Sequence, residues 1–372
     1  MNFKIAKREF MDVLTLQARA IANNTPLPAL SGIKIVASED ALSLTSSDSN
    51  ISIKTVLKVG DNTTLTILEE GEIVIESKYL LEIVRKIDSE LISIEVMDGT
   101  LTKISGGNSE FKINGIRAFE YPEINFEFTS GYPFKLDTKL FSDIIEQTSF
   151  ACSDKEIRPV LTGVNMKAEN GKLHVNATDS FRLASKTVDV DQELKFNITV
   201  PAKYLSDVLH SIVGEESISI IIDSQKICFL FKNSRIQTRL LDDAFPDTAK
   251  LLAGTFTQVL TVNSKNLINA VDRSSFIKSD GKNIVRLSIN ANQIDITCSS
   301  QMGSSYEKID VISYEGQPLN ISCSGKYLID ALRAIRSDVA VISFNGELRP
   351  MVIKPDKDSD VVQLISPVRT YR

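Results

Sequence analysis

Three stretches of the chain carry the same charges at the same spacing. Lys78, Glu82 and Arg85 recur as Lys203, Asp207 and His210, and again as Lys326, Asp330 and Arg333. Spacing of i, i+4, i+7 puts each trio on one side of a helix. Met once, such a trio is an ion pair on a solvated face, worth about 0.3 kcal/mol. Met three times with the same cation in the same place, it points to a surface that attracts a polyanion. Arg8, Lys139 and Lys265 hold equivalent early positions in three further helical stretches and enlarge the set.

Catalytic chemistry finds no such support. Phosphate-cradling glycine loops, a nucleophile elbow and a zinc-binding H-E-x-x-H are all absent. Ser275 to Lys278 and Ser305 to Lys308 fit S-x-x-K, but neither has the companion motifs that such a site requires. Asp242-Asp243 and Glu215-Glu216 fall at turn-like places and read as solvated charge. With His174 and His210 the only histidines, little remains for a metal site. The expectation is a binding or scaffolding protein with no cofactor, no metal and no enzymatic activity.

The charged trios sit inside a longer repeat. SKYLLEIVRKI (77–87), AKYLSDVLHSI (202–212) and GKYLIDALRAI (325–335) align on Lys-Tyr-Leu, 125 and 123 residues apart. Each has an i, i+3, i+4, i+7 apolar stripe. The inward sets are Tyr79, Leu80, Ile83, Val84 and Ile87; Tyr204, Leu205, Val208, Leu209 and Ile212; and Tyr327, Leu328, Ala331, Leu332 and Ile335. A second helix is predicted in each third, over Arg8 to Ile21, Lys139 to Phe150 and Ser264 to Phe276. Pro28 to Gly32 resembles Pro159 to Gly163, and Ser47-Asp48-Ser49 resembles Thr178-Asp179-Ser180, both 131 residues on. Alternating stretches such as Ile33 to Val36, Leu42 to Leu44, Ile51 to Ile53 and Ile218 to Ile220 read as half-buried antiparallel strands. Turn signals at Asp98-Gly99, Gly106-Gly107, Asn170-Gly171 and Asn345-Gly346 separate such strands. The fold class is α+β: three like domains, over 1–127, 128–253 and 254–372, each with two helices backed by antiparallel sheets.

The net charge of −6 argues against a protein coated in nucleic acid on all sides, but allows one basic surface on an acidic body. The first third is the most acidic and the last is slightly basic, so head-to-tail self-association would join opposite charges. Three such domains would close naturally as a head-to-tail dimer with the cationic helices lining a hole. Duplex DNA, with one charge per ~1.7 Å, could pass through such a lining without being read by sequence. The competing reading is a repeat-built protein-interaction scaffold that does not encircle DNA. No apolar run reaches membrane-spanning length. The start MNFKIAKREF has no signal-peptide core, so the four scattered cysteines are expected to be reduced thiols in a cytoplasm.

Particular strings carry a family resemblance: Leu27 to Leu30, Arg158 to Gly163, Ala177-Thr178-Asp179-Ser180-Phe181-Arg182-Leu183-Ala184, Val200 to Leu205, Phe245-Pro246-Asp247, Leu348 to Ile353 and Pro367-Val368-Arg369. Over its whole length the chain resembles the bacterial DNA sliding clamps, the beta subunits of replicative DNA polymerase. The resemblance implies a homodimeric ring around double-stranded DNA, a processivity factor without catalysis. Its implied partners are the polymerase catalytic subunit, a clamp loader and other proteins that dock short peptides. It also implies a peptide groove built from Leu161, Thr178, Ser180, Phe181, Arg182, Leu183, Pro246, Leu251, Val352, Ile365, Pro367, Val368 and Arg369. Phe181 and Ser180 depart from residues that relatives carry there. Asn24 stands where relatives carry a DNA-contacting arginine, and Lys155 and Arg158 could supply replacement charge. With Arg8, Lys78, Arg85, Lys139, Lys203, Lys265, Lys326 and Arg333 these form the implied DNA-facing set. Phe111, Phe276 and Ile277 are the expected residues of the dimer joint.

Overall fold

A computed structural model describes residues 1–22, 25–128, 131, 133–191, 193–248, 251, 254–278, 281–357 and 360–369. One order of elements recurs three times, except that among the described residues the second repeat has one strand fewer before its second helix. The first repeat runs β1 (Asn2–Ala6), α1 (Lys7–Gln17), β2 (Gly32–Ala37), β3 (Ala41–Ser47), β4 (Ile51–Lys58), β5 (Thr66–Glu69), β6 (Gly71–Glu76), α2 (Ser77–Lys86), β7 (Leu91–Asp98), β8 (Leu101–Gly106) and β9 (Ser109–Asn114). The second runs β10 (Phe134–Asp137), α3 (Thr138–Glu146), β11 (Gly163–Glu169), β12 (Lys172–Thr178), β13 (Arg182–Asp189), β14 (Phe196–Pro201), α4 (Ala202–Ser211), β15 (Ser217–Ile222), β16 (Lys226–Phe231) and β17 (Ser234–Arg239). The third runs β18 (Gln258–Asn263), α5 (Ser264–Arg273), β19 (Ile284–Ile289), β20 (Gln293–Ser300), β21 (Gly303–Asp310), β22 (Ser313–Glu315), β23 (Leu319–Ser324), α6 (Gly325–Ala334), β24 (Val339–Phe344), β25 (Met351–Pro355) and β26 (Val361–Ile365).

These elements form two compact units, residues 1–140 with 204–240, and residues 141–203 with 241–372. The second repeat contributes to both. The first unit contains a five-stranded sheet, β5-β1-β7-β8-β9, and an eight-stranded sheet, β10-β15-β16-β17-β4-β3-β2-β6. The second contains a nine-stranded sheet, β14-β11-β12-β13-β26-β25-β24-β18-β22, and a four-stranded sheet, β21-β20-β19-β23. In both units a strand of one repeat pairs with the last strand of the next. In the first joint β4 pairs with β17, placing Ile53 opposite Ile236. In the second joint β13 pairs with β26, placing Ala184 opposite Gln363.

The helices hold because their stripes are buried. Leu80, Leu205 and Leu328, the leucines of the repeated Lys-Tyr-Leu, are fully buried, as are Val84 and Val208. Truncating any of these leucines to alanine costs about 2–5 kcal/mol. Tyr79 departs from the expected stripe: it is 52% exposed, whereas Tyr204 is 8% exposed. The first helix of each repeat ends earlier than its apolar pattern predicts. α1 stops at Gln17 because the Ser46 hydroxyl donates to the Gln17 carbonyl, and a 3-10 turn over Ala18–Ala20 follows. α3 stops at Glu146, and α5 stops at Arg273, where the chain turns toward Phe276. The amide of Asn283 fixes that turn by donating to the carbonyls of Ser274 and Ile277. The turn glycines supply positive φ where hairpins need it, 55° at Gly107 and 73° at Gly171.

Candidate functional site

Around the second joint, sequence and geometry converge. The β12–β13 turn is locked by its own side chains: Asp179 accepts from the backbone N–H of Phe181 at 2.8 Å and of Arg182 at 2.9 Å. Thr178 donates to the Arg182 carbonyl at 2.6 Å and accepts from the Ser180 N–H at 3.1 Å. Ser180 sits at φ 78°. The turn thus presents Phe181 to solvent, 63% exposed. Along β13 successive side chains alternate between faces. Leu183 stands opposite Leu364 of β26, which stands opposite Val352 of β25. These three make an apolar row of their own, separate from the main core, with Phe256 and Val362 packed against it.

Beside that row the tail is pinned at two points. The N–H of Ser366 donates to the Phe181 carbonyl and that of Val368 to the Ser322 carbonyl, both at 2.8 Å. Pro246 and Pro367 are half-buried, while Ser180, Leu251, Val368 and Arg369 are exposed. Leu161 and Thr178 are buried. The arrangement is a buried row of Leu183, Leu364 and Val352 with the exposed apolar side chains of Phe181, Leu251 and Val368 in the segments named for the groove.

Two groove residues lie elsewhere than the resemblance implies. Ile365 alternates to the opposite face from Leu364 and joins the core that α5 and α6 cover. Arg182 also takes the opposite face from Leu183 and is 8% exposed. Its guanidinium donates to Asp179 at 3.1 Å, to Asp330 of α6 at 2.8 Å and to the Phe150 carbonyl. Its carbon lies 4.3 Å from the Tyr327 ring centroid and 5.3 Å from that of Phe150. The arginine therefore locks the joint. Burial, followed by Asp179, pushes the Tyr327 hydroxyl upward. Leu364, Val362 and Phe256 were not among the sequence-derived groove residues. Period-two alternation along Val361 to Ile365 would have found Leu364; the sequence holds no signal for Phe256.

The cations make the second candidate surface. Arg8, Lys78, Lys139, Lys203, Lys265 and Lys326 each occupy the second residue of a helix, α1 to α6 in turn, and all six are exposed. A helix N-terminus carries about half a positive charge, so a cation there costs stability where an acid would add it. Among these first turns the only acid is Glu9. Six cations at the unfavourable end serve something other than the helices. Arg85, Lys155, Arg158 and Arg333 are exposed too, with Arg85 paired to Glu82. Asn24 lies outside the described residues.

Of the dimer-joint residues, Phe276 is 78% exposed and Phe111 39%, but Ile277 is buried in the third repeat's core. Its carbonyl is held by Asn283, which turns its side chain inward and leaves Phe276 outside. All four cysteines are free and buried, and burial pushes the thiols of Cys152, Cys228 and Cys323 up to about 12. Among the described residues no cluster of His, Cys, Asp and Glu could hold a metal ion.

Three family models match in succession. The DNA polymerase III beta subunit N-terminal domain matches residues 1–125, the central domain 135–247 and the C-terminal domain 249–369. The chain is 38% identical to the beta sliding clamp of Bacillus subtilis and 35% identical to that of Halalkalibacterium halodurans, with all of each chain covered. The crystal structure of the DNA polymerase sliding clamp from Bacillus subtilis superposes with a TM-score of 0.95 at 37% identity, covering both chains fully. A DNA polymerase III beta chain from Streptococcus pneumoniae also gives 0.95, at 31% identity over 99% of this chain and 100% of that one.

Proposed function

The chain belongs to the DNA polymerase III beta subunit family, and on that premise we propose that two copies close head to tail into a ring around duplex DNA. It is a sliding clamp: it holds polymerase and other replication and repair proteins on DNA and catalyses nothing itself. The observation that carries the DNA contact is the cation at the second residue of each of the α-helices α1 to α6. Cations paired loosely with phosphates hold a duplex without selecting a sequence, and such contacts weaken as salt rises. The slot at the second joint receives the partners' short peptides. No described helix is long and apolar enough to cross a membrane. The chain works in the cytoplasm, where the polymerase subunit and the loader that opens the ring are found.

Closure follows from the joints. β4 and β13, the strands that join the first and second repeats onward, are each paired on both sides. Their counterpart in the third repeat is β21, which has β20 as its only sheet neighbour among the described residues. The counterpart of β17 and β26 in the first repeat is β9, likewise paired only with β8. An edge left open on both ends invites pairing, and ring closure removes it. Carried over position by position, the existing registers put Lys112 opposite Ser304 and Phe111 opposite Ser305 of the second copy.

The test is retention. Loaded onto nicked circular DNA, the protein is expected to stay bound, and to be lost once the circle is linearised. Lys78→Glu, Lys203→Glu and Lys326→Glu together should abolish loading while leaving the dimer. Equal escape from circle and linear DNA would overturn encirclement. Undiminished loading of the triple variant would favour the scaffold reading.

A further inference from the structure

The same tyrosine closes both joints inside the chain. At the first, the Tyr204 hydroxyl lies 3.5 Å from Asp48 in the β3–β4 turn, and Asp207 lies 3.6 Å from Arg19. At the second, Tyr327 stacks on Arg182, whose guanidinium binds Asp179 of the β12–β13 turn and Asp330. The turns are built alike: Asp48 caps the Asn50 N–H at 2.9 Å and Asp179 caps that of Phe181 at 2.8 Å. In the third repeat Ser300 caps the Met302 N–H at 3.2 Å, and Met302 is 97% exposed. The remaining tyrosine is Tyr79, half exposed, and the acid at its helix's lock position, Glu82, pairs with Arg85 and Lys86 of its own helix.

Resting on the ring reading above, we propose that Tyr79 seats on the Ser300–Gly303 turn of the second copy, beside its Phe276. Phe276 follows α5 as Phe150 follows α3 and Arg19 follows α1. Gly303 begins β21 as Arg182 begins β13. Neither position in the third repeat holds a cation, so this seat is aromatic where the two within the chain are ionic. The Tyr79 ring meets Phe276 and Met302, and its hydroxyl lies within hydrogen-bond reach of Ser300. Glu82, with no cation at either equivalent position, keeps its intrahelical partners. The joint between copies is thus closed without the arginine–carboxylate lock that both joints within the chain contain.

Subunit exchange measures this seat directly. Full-length protein labelled separately with donor and acceptor dyes is mixed, and energy transfer reports the rate at which copies swap. Tyr79→Ala should exchange at least tenfold faster than wild type, and Tyr79→Phe within threefold, because the ring supplies most of the contact. Since Tyr79 is half exposed, thermal melts of both variants should match wild type, separating a lost seat from a lost fold. Tyr327→Ala, at the internal joint, should lower the melting temperature instead. A dimeric wild type whose exchange rate is unchanged in Tyr79→Ala overturns the seat but leaves the ring. A wild type that is monomeric throughout overturns both.

Discussion

The two joints within the chain share a backbone and differ in the side chains that line one face of it. At the second, the row is Leu183, Leu364 and Val352. At the first, the same positions hold Ser52, Gln237 and Cys228. There Gln237 donates to the Asn125 carbonyl at 3.1 Å, and Lys226 donates to the same carbonyl at 2.8 Å, so the linker after the first repeat straps the row. One pairing geometry therefore gives a strapped polar seam in one unit and an apolar row in the other. The locks differ as well. Arg182 is a buried strand residue with carboxylates on two sides, whereas Arg19 and Asp207 are partly exposed and 3.6 Å apart. One architecture thus carries three polar or small side chains at one joint and three apolar ones at the other.

The largest effect should come from the slot floor. Leu183→Asp is expected to abolish binding of a clamp-binding peptide in a calorimetric titration, with the dimer mass unchanged. Wild-type affinity in that variant would remove the slot from the account. Next come the locks. Arg182→Ala strands Asp179 and Asp330 in a partly buried site and should cost about 3 kcal/mol by urea unfolding. Arg19→Ala should cost under about 1 kcal/mol, as exposed pairs do. Equal costs would erase the contrast between the joints. The smallest effect is the strap: Gln237→Ala should cost about 1 kcal/mol and speed hydrogen exchange around Asn125.

Local signals made much of this legible. The apolar stripes of α2, α4 and α6, the alternation of the strands and the repeated lysines all depend on neighbours within seven residues, and all are visible in sequence. Tyr79 was not, because its stripe position is filled only when another repeat covers it. Arg182 was misplaced for a related reason: its carboxylate Asp330 lies 148 residues away, and only the strand's alternation sends it toward α6. Ile277, expected at the joint between copies, lies in the core instead, its carbonyl held by Asn283 across six residues. The cation at each helix's second residue could be read for three helices from the repeat and for the other three from equivalent starts. That all six stand at the electrostatically unfavourable end needed the helix boundaries.

The central claim is that a third joint, between copies, repeats the two within the chain. A cysteine pair reads it most directly. With Lys112→Cys and Ser304→Cys in one chain, mild oxidation should convert the protein to a covalent species of two chains, since the shared register sets these positions opposite each other. The one-residue slip, Lys112→Cys with Ser305→Cys, should cross-link far less. Absence of any inter-chain cross-link, or equal yields from both pairs, would contradict the claim.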